Sequence, residues 1–309
     1  MSATPERFPE SALYPSVEQL ERWADEIWSE AKSRKLEVKI LNDRHFSQTL
    51  GEFNLRHVTY VEFRPEGMAP FYAYWQKTLG TPAPLLVHTP GYNAEISMFA
   101  DMLIQGFNVI HINPLGYITP YGPDLSKKKN GAWPVLDDTI NTLGASGYRQ
   151  WFINAVMAAV WAMERAESLP GRVSFFGTSQ GGMGSLVLGS LFRGRGARCV
   201  AADLPYLVNL PLAKSLGSYN IDGMIKDGVD RDSAWRAALH CDPLAHAERL
   251  DLPVLLTAGE ADTLCRPETI ESLYLRLKNS RCIMHIKDEP HRYTNEFLYM
   301  ASAWFRMYA

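Results

Sequence analysis

Between Pro84 and Ile286 the chain keeps returning to one pattern, a short continuously apolar run followed by a longer stretch with helical periodicity. The runs are PLLVHT, NVIHIN, RVSFFGT, CVAAD, PVLLTAG and RCIMHI. Among the stretches that follow or separate them are SMFADMLIQGF, YRQWFINAVMAAVWAMERAES, GGMGSLVLGSLF and ETIESLYLRLKN. A strand with one wet face alternates apolar and polar side chains, whereas a strand covered on both faces does not. The pattern therefore predicts a doubly wound, mostly parallel sheet with helices on its faces, an α/β fold. Ahead of it, SVEQLERWADEIWSEAKSR reads as a helix. Ser16 and Gln19 form a capping box, and Val17, Leu20, Trp23, Ala24, Ile27, Trp28 and Ala31 line one face. HVTYVEFRPE and FYAYWQKT, separated by a turn at Gly67, read as a hairpin.

The 309 residues, 46% of them hydrophobic and 21% charged, suit one domain, residues 1–309, with insertions. A net charge of −3 and no basic run longer than Lys127-Lys128-Lys129 argue against nucleic acid or an anionic membrane as partner. The polar start MSATPERFPES lacks the apolar core of a secretory signal, and no stretch approaches the roughly 18–20 apolar residues of a membrane span. Cys199, Cys241, Cys265 and Cys282 are scattered without metal-ligand spacing. These features predict a cytoplasmic protein with reduced thiols and no metal or organic cofactor.

Two segments interrupt the alternation. Residues 115–145 are rich in Gly, Pro and Asn, and residues 207–240 are longer than a strand-to-strand connection needs. Insertions at such positions commonly shape a binding site, so both are candidates for lid or pocket wall, against the alternatives of surface excursion or oligomer contact.

Gly177-Thr178-Ser179-Gln180-Gly181 fits G-x-S-x-G, a pattern that is weak alone but here sits between a strand and a helix-forming segment. A strand turning sharply into a helix lifts the serine to the carboxyl edge of the sheet, beside the positive end of the helix. A serine hydroxyl needs a base within hydrogen-bond reach, and in the α/β-hydrolase fold the acid and then the histidine follow on loops after later strands. PVLLTAG runs into Glu260-Ala261-Asp262, and RCIMHIKDEP runs into His291. Ser179 is thus the candidate nucleophile, His291 the proton shuttle and Asp262 the acid that orients it, with Glu260 the competing acid. His285 lies within a strand and reads as structural. His88 and His111 read as packing or hydrogen-bonding groups near the site, and His240 falls in an insertion. For the oxyanion, the backbone N–H of Gln180 is one expected donor. The loop PGYNAE after PLLVHT supplies the other, the N–H of Tyr92.

Four ordered motifs resemble the acetyl xylan esterase and cephalosporin C deacetylase family of α/β-hydrolases. They are Gly91-Tyr92-Asn93, Gly177-Thr178-Ser179-Gln180-Gly181-Gly182, Asp203-Leu204-Pro205-Tyr206-Leu207, and Asp262-Thr263-Leu264-Cys265-Arg266-Pro267. The resemblance runs patchily from about residue 15 to the C-terminus. It implies a triad of Ser179, Asp262 and His291, and an oxyanion hole from the N–H groups of Tyr92 and Gln180. Two positions depart from the family pattern. Asn113-Pro114-Leu115-Gly116-Tyr117 stands where the family carries Arg-Gly-Gln, and His291-Arg292 where it carries His-Glu. Those departures weaken any inference to sugar-acetate specificity and to the ring-shaped homo-hexamer of such enzymes.

The expected function is a serine carboxylesterase acting on a small-molecule ester, most concretely a deacetylase of acetylated sugars or related metabolites. A peptidase, thioesterase or dienelactone-type hydrolase would use the same machinery, and fold does not choose among them. A non-catalytic binder on the same fold is the third alternative, and the complete ordered set of reactive residues argues against it.

Overall fold

The computed structural model describes residues 9–41, 58–92, 99–119, 122–128, 133, 147–225 and 227–309. Asn93 and most of the 115–145 insertion lie outside these residues. The chain opens with helix α1 (Val17–Ser33), then strands β1 (Leu36–Ile40), β2 (Val58–Pro65), β3 (Phe71–Gln76) and β4 (Ala83–Thr89). Helix α2 (Ala100–Ile104) and β5 (Asn108–Asn113) follow, with a two-residue pair, β6 (Ile118–Thr119) and β7 (Gly122–Pro123). Next come α3 (Gly147–Met163), β8 (Ser168–Thr178), α4 (Gln180–Leu191), β9 (Ala197–Asp203), α5 (Leu210–Ser215) and α6 (Arg231–Leu239). The chain ends with β10 (Val254–Gly259), α7 (Pro267–Arg276), β11 (Arg281–Ile286) and α8 (Asn295–Tyr308).

Nine strands form one sheet in the order β1-β2-β3-β5-β4-β8-β9-β10-β11. From β5 to β11 all neighbours are parallel, and the β2–β3 hairpin with β1 extends the sheet antiparallel beyond β5. The chain leaves β4 toward β5 and then returns to the opposite side of β4 as β8. The strand order therefore reverses at β4, and the carboxyl ends of β4 and β8 flank the crevice where ligands bind in open α/β sheets.

Both faces of the central parallel strands are dry, and the period of two shows it, while the edge strand β11 stays partly exposed. Leu85 and Val87, Ile110 and Ile112, Val173 and Phe175, Val200 and Ala202, and Val254 and Leu256 point into one core with α1, α3 and α4. The alternate residues Leu86, Val109, Phe176, Ala201 and Leu255 point into a second core with Phe99, Met102, Phe297, Ala301 and Phe305. Helix α8 covers that second face with residues at helical spacing. Helices α3 and α4 are buried almost all round, because α1 lies over them on the solvent side. Their sequences are correspondingly apolar without a polar stripe.

Helix α1 starts as its capping box predicts. The Gln19 N–H donates to Ser16 Oγ at 3.2 Å, and the Ser16 N–H donates to Gln19 Oε1 at 2.7 Å. Its buried face is Leu20, Trp23, Ala24, Ile27, Trp28 and Ala31, and Trp28 Nε1 donates to the Leu191 carbonyl at 2.8 Å. Val17 is only half buried. Within residues 207–240, Leu210, Ile221 and Trp235 are buried in the core. Glu10 accepts from Lys214 and from Arg231, each at 2.6 Å, fastening the N-terminal segment to α5 and α6. No helix among the described residues is long and apolar enough to cross a membrane.

Close packing makes one prediction sharp. A Cβ on Gly184 in α4 would lie 2.2 Å from the ring of Trp151, which is itself buried. Gly184→Ala gains about 1 kcal/mol of helix propensity but overpacks a rigid ring, which costs about 1–3 kcal/mol. The variant is expected to have a lower urea midpoint at unchanged m-value, and a midpoint at or above wild type would contradict this packing.

Candidate active site

Strand β8 ends at Thr178, and α4 begins at Gln180. Ser179 between them holds φ 57° and ψ −118°, a backbone conformation that an L-residue adopts only when its surroundings impose it. The surroundings are three backbone approaches with no room for a side chain. A Cβ on Gly177 would sit 2.4 Å from the Thr89 carbonyl oxygen, one on Gly181 2.0 Å from the same atom, and one on Gly182 2.8 Å from the Asp203 carbonyl oxygen. The elbow is then pinned from β9. The Ser179 N–H donates to the Asp203 carbonyl at 2.8 Å, and the Tyr206 N–H donates to the Ser179 carbonyl at 3.0 Å.

The hydroxyl that this turn presents meets a histidine. His291 Nε2 lies 2.9 Å from Ser179 Oγ, and His291 Nδ1 lies 2.7 Å from Asp262 Oδ2. Proton placement follows from the acceptor. A carboxylate oxygen only accepts, so Nδ1 carries the proton and Nε2 is left as the acceptor for the serine hydroxyl. Asp262 is 1% exposed, and its other oxygen accepts the N–H groups of Leu264 and Cys265, both at 2.8 Å. Three donors on one buried carboxylate fix its orientation.

The loops carrying the acid and the histidine are zipped together. Glu260 N–H donates to the Ile286 carbonyl and Ala261 N–H to the Glu289 carbonyl, both at 3.0 Å. A Cβ on Gly259 would lie 2.5 Å from the Glu289 carbonyl oxygen, so this approach also requires glycine. The side chain of Glu260 is exposed, while that of Asp262 is turned inward to the imidazole.

The other histidines have separate partners. His285 faces Glu271 at 3.4 Å on the sheet edge. His240 Nδ1 bonds the Arg236 carbonyl at 2.6 Å. His88 and His111 are buried beneath the β4 end, with their Nδ1 atoms 2.7 Å apart and their rings stacked. Burial, with His111 adding to it, pushes the basicity of His88 well below the ordinary imidazole range, which holds His88 neutral.

The oxyanion donors named from sequence fall on two neighbouring turns. Gln180 opens α4, where the first N–H groups have no intrahelical acceptor. Its side chain is buried and accepts from the Tyr148 hydroxyl at 3.2 Å. Gly91 lies against this turn, its Cβ position 3.6 Å from the Thr178 carbonyl oxygen. Tyr92 follows it, 37% exposed, with its hydroxyl donating to the Trp133 carbonyl at 2.8 Å. Trp133 stacks on Tyr117, so the 115–145 segment is tied to the same turn.

Sequence reading passed over two groups. Cys265 is fully buried, its sulfur in contact with Ser179 and 3.7 Å from the Tyr219 hydroxyl, and burial raises its thiol well above the usual range. Asp203 is fully buried behind the elbow. Both stand in motifs quoted above, but neither position carries a local sign of contact with a serine distant in sequence. Among the described residues, Asp262, Cys265 and His291 offer metal-type donor atoms within 4.8 Å of one another. The carboxylate is saturated by His291 and two N–H groups, so a metal there would have to break the imidazole–carboxylate bond. The donor set fits the hydrogen-bonded chain instead.

The geometry ranks the two acidic residues. Asp262→Asn is expected to lower kcat for an ester on the order of 10³–10⁴-fold, because an amide there favours the wrong tautomer. Glu260→Gln should stay within about twofold of wild type, as an exposed substitution away from the reacting atoms does. Steady-state kinetics on the pair checks this, and the reverse ranking would move the acid to Glu260.

The profile of the family described as acetyl xylan esterase (AXE1) matches residues 11–307. Among solved structures, the acetyl xylan esterase from Paenibacillus sp. R4 superposes with a TM-score of 0.74 at 16% identity, covering 97% of this chain and 98% of that one. Acetyl xylan esterase 1 from Thermoanaerobacterium sp. JW/SL YS485 gives 0.74 at 18% identity, covering 96% and 98%. Est1E from Butyrivibrio proteoclasticus gives 0.52 at 13%, covering 77% and 92%. At these identities the superpositions establish a shared fold, and the profile spans nearly the whole chain. The protein belongs to the acetyl xylan esterase family.

Proposed function

We propose that the protein is a serine carboxylesterase that removes small acyl groups, acetyl foremost, through an acyl-enzyme on Ser179. Ester hydrolysis is the chemistry of the family to which the chain belongs. The observation that carries the residue assignment is the unbroken chain from Ser179 Oγ to His291 Nε2 at 2.9 Å and from His291 Nδ1 to Asp262 Oδ2 at 2.7 Å, at the end of a strained turn.

The steps follow from that chain. His291 takes the hydroxyl proton as Ser179 Oγ attacks the ester carbonyl, and the buried Asp262 carboxylate stabilises the imidazolium that forms. The negative charge developing on the carbonyl oxygen is met by the N–H of Gln180, reinforced by the positive end of α4, and by the N–H of Tyr92. His291 returns the proton to the departing alkoxide. Water then enters, gives a proton to His291, and attacks the acyl group. Collapse of the second intermediate releases the carboxylic acid and restores Ser179. Acetylated sugars and related small metabolites are the proposed substrates, supported by the family and by the turn at Tyr92, which is tied to Trp133.

A p-nitrophenyl ester series from acetate to octanoate on wild type and Ser179→Ala tests the reading. Acetate should give the highest kcat/KM, and Ser179→Ala should lose on the order of 10³–10⁶ in kcat. Turnover that survives the substitution would sink the nucleophile assignment, and a preference for longer acyl chains would retire the deacetylase.

A further inference from the structure

Asp203 closes β9 with a fully buried carboxylate whose two oxygens face two threonines. Thr178 Oγ1 donates to Oδ2 at 2.8 Å, and Thr257 Oγ1 donates to Oδ1. The Thr257 oxygen in turn accepts the Leu204 N–H at 3.1 Å. The Asp203 carbonyl accepts the Ser179 N–H, and three residues on, the Tyr206 N–H reaches back to the Ser179 carbonyl. The segment 203–206 thus grips the nucleophile elbow at Thr178 and on both sides of Ser179. The grip is itself strained, since Leu204 (φ 42°) and Leu207 (φ 56°) occupy the left-handed region without being glycine.

Hydrogen bonding alone does not call for a carboxylate here. A threonine hydroxyl donates or accepts, so an asparagine could satisfy both partners. What an amide lacks is net charge. The groups that act electrostatically with Asp203 are His291, which favours its ionised form, and Asp262, Cys265 and Tyr293, which do not. Asp203 is fully buried and its carbonyl accepts the N–H of Ser179, whose hydroxyl meets His291, so its charge lies close to the imidazole and is weakly screened on the protein side.

We propose that Asp203 is a positioning residue for ester hydrolysis: it holds the Ser179 elbow in its strained form, and its negative charge supports the imidazolium that His291 becomes in the transition state. The inference rests on the assignment of Ser179, Asp262 and His291 above. It adds a second carboxylate, on a different strand, to the chemistry of that site. Burial raises the Asp203 carboxyl to about 6, against the lowering effect of the two threonine hydroxyls. It is therefore ionised at neutral pH and loses its charge on mild acidification.

The test is kcat and KM for p-nitrophenyl acetate across pH for wild type, Asp203→Asn, Thr257→Val and Ser179→Ala. Asp203→Asn should lower kcat by about tenfold or more with KM within about twofold, the mark of an interaction made in the transition state. The deficit should shrink as pH falls through about 6, where wild-type Asp203 takes its own proton and loses the charge that Asp203→Asn lacks throughout. Thr257→Val removes a donor to the anion, so Asp203 takes its proton at higher pH and the rate its charge supports should be lost from a higher pH than in wild type. A deficit that depends on pH in this way is the signature that a merely structural bond would not produce. Wild-type kcat in Asp203→Asn overturns the proposal, and so does a deficit that is constant across pH in both variants. If circular dichroism shows Asp203→Asn unfolded, Thr257→Val decides alone: loss of rate from a higher pH than wild type supports the charge, and an unmoved profile overturns it. Ser179→Ala separates the two readings, since activity surviving there defeats the nucleophile assignment whatever Asp203 does.

Discussion

The close approach of three backbones at the carboxyl ends of β4, β8 and β9 governs the rest of the site. The Thr89 carbonyl oxygen stands where a Cβ of Gly177 or Gly181 would be, and the Asp203 carbonyl where one of Gly182 would be. Only because these contacts are made does Ser179 keep its unfavourable backbone angles and hold its hydroxyl away from the sheet. Strain of this kind costs on the order of 1–3 kcal/mol per residue and persists where neighbours over-determine it. Here they do so through the Ser179 N–H, its carbonyl and the Thr178 hydroxyl.

Asp262 and His291 reach that hydroxyl by a second backbone approach. Gly259 passes close against the Glu289 carbonyl, and two backbone hydrogen bonds join the loops after β10 and β11 into one unit. Asp262 is buried at the base of this unit with three donors, and His291 projects from its rim. Burial of a carboxylate is expensive unless its lone pairs are met, and here they are met by groups that also set its angle. The site is built from two rigid pieces, the elbow on β8 and β9 and the paired loops on β10 and β11. Adjacent parallel strands keep them in register.

Much of this was legible from residue order. Continuous apolar runs such as NVIHIN and PVLLTAG announced strands dry on both faces, and the two cores show why: Ile110 and Val109 face opposite helical layers. Ser16 and Gln19 marked the start of α1 because capping is local chemistry, decided within four residues. Helix α8 carried a readable spacing at Phe297, Ala301, Trp304 and Phe305 but was not singled out, its significance being that it seals the second face. Residues 207–240 read by length as a candidate lid or pocket wall, and length does not reveal which face of a segment meets the body of the protein. Ile221 and Trp235 are buried in the core, while the Tyr219 hydroxyl meets Cys265 beside Asp262.

The order of Ser179, Asp262 and His291 at strand ends, the glycines around the serine and the alternation that demands a parallel sheet are properties of the chain read residue by residue. They follow from local sterics and from the periods of strands and helices. The meeting of His291 with Asp262 rather than Glu260, the turning of Gln180's side chain toward Tyr148, and the placing of Asp203 and Cys265 behind Ser179 belong to the tertiary structure alone. Each depends on which strands lie side by side. A distance of a few ångströms between residues tens of positions apart is fixed by sheet order and loop packing, and no local pattern encodes it.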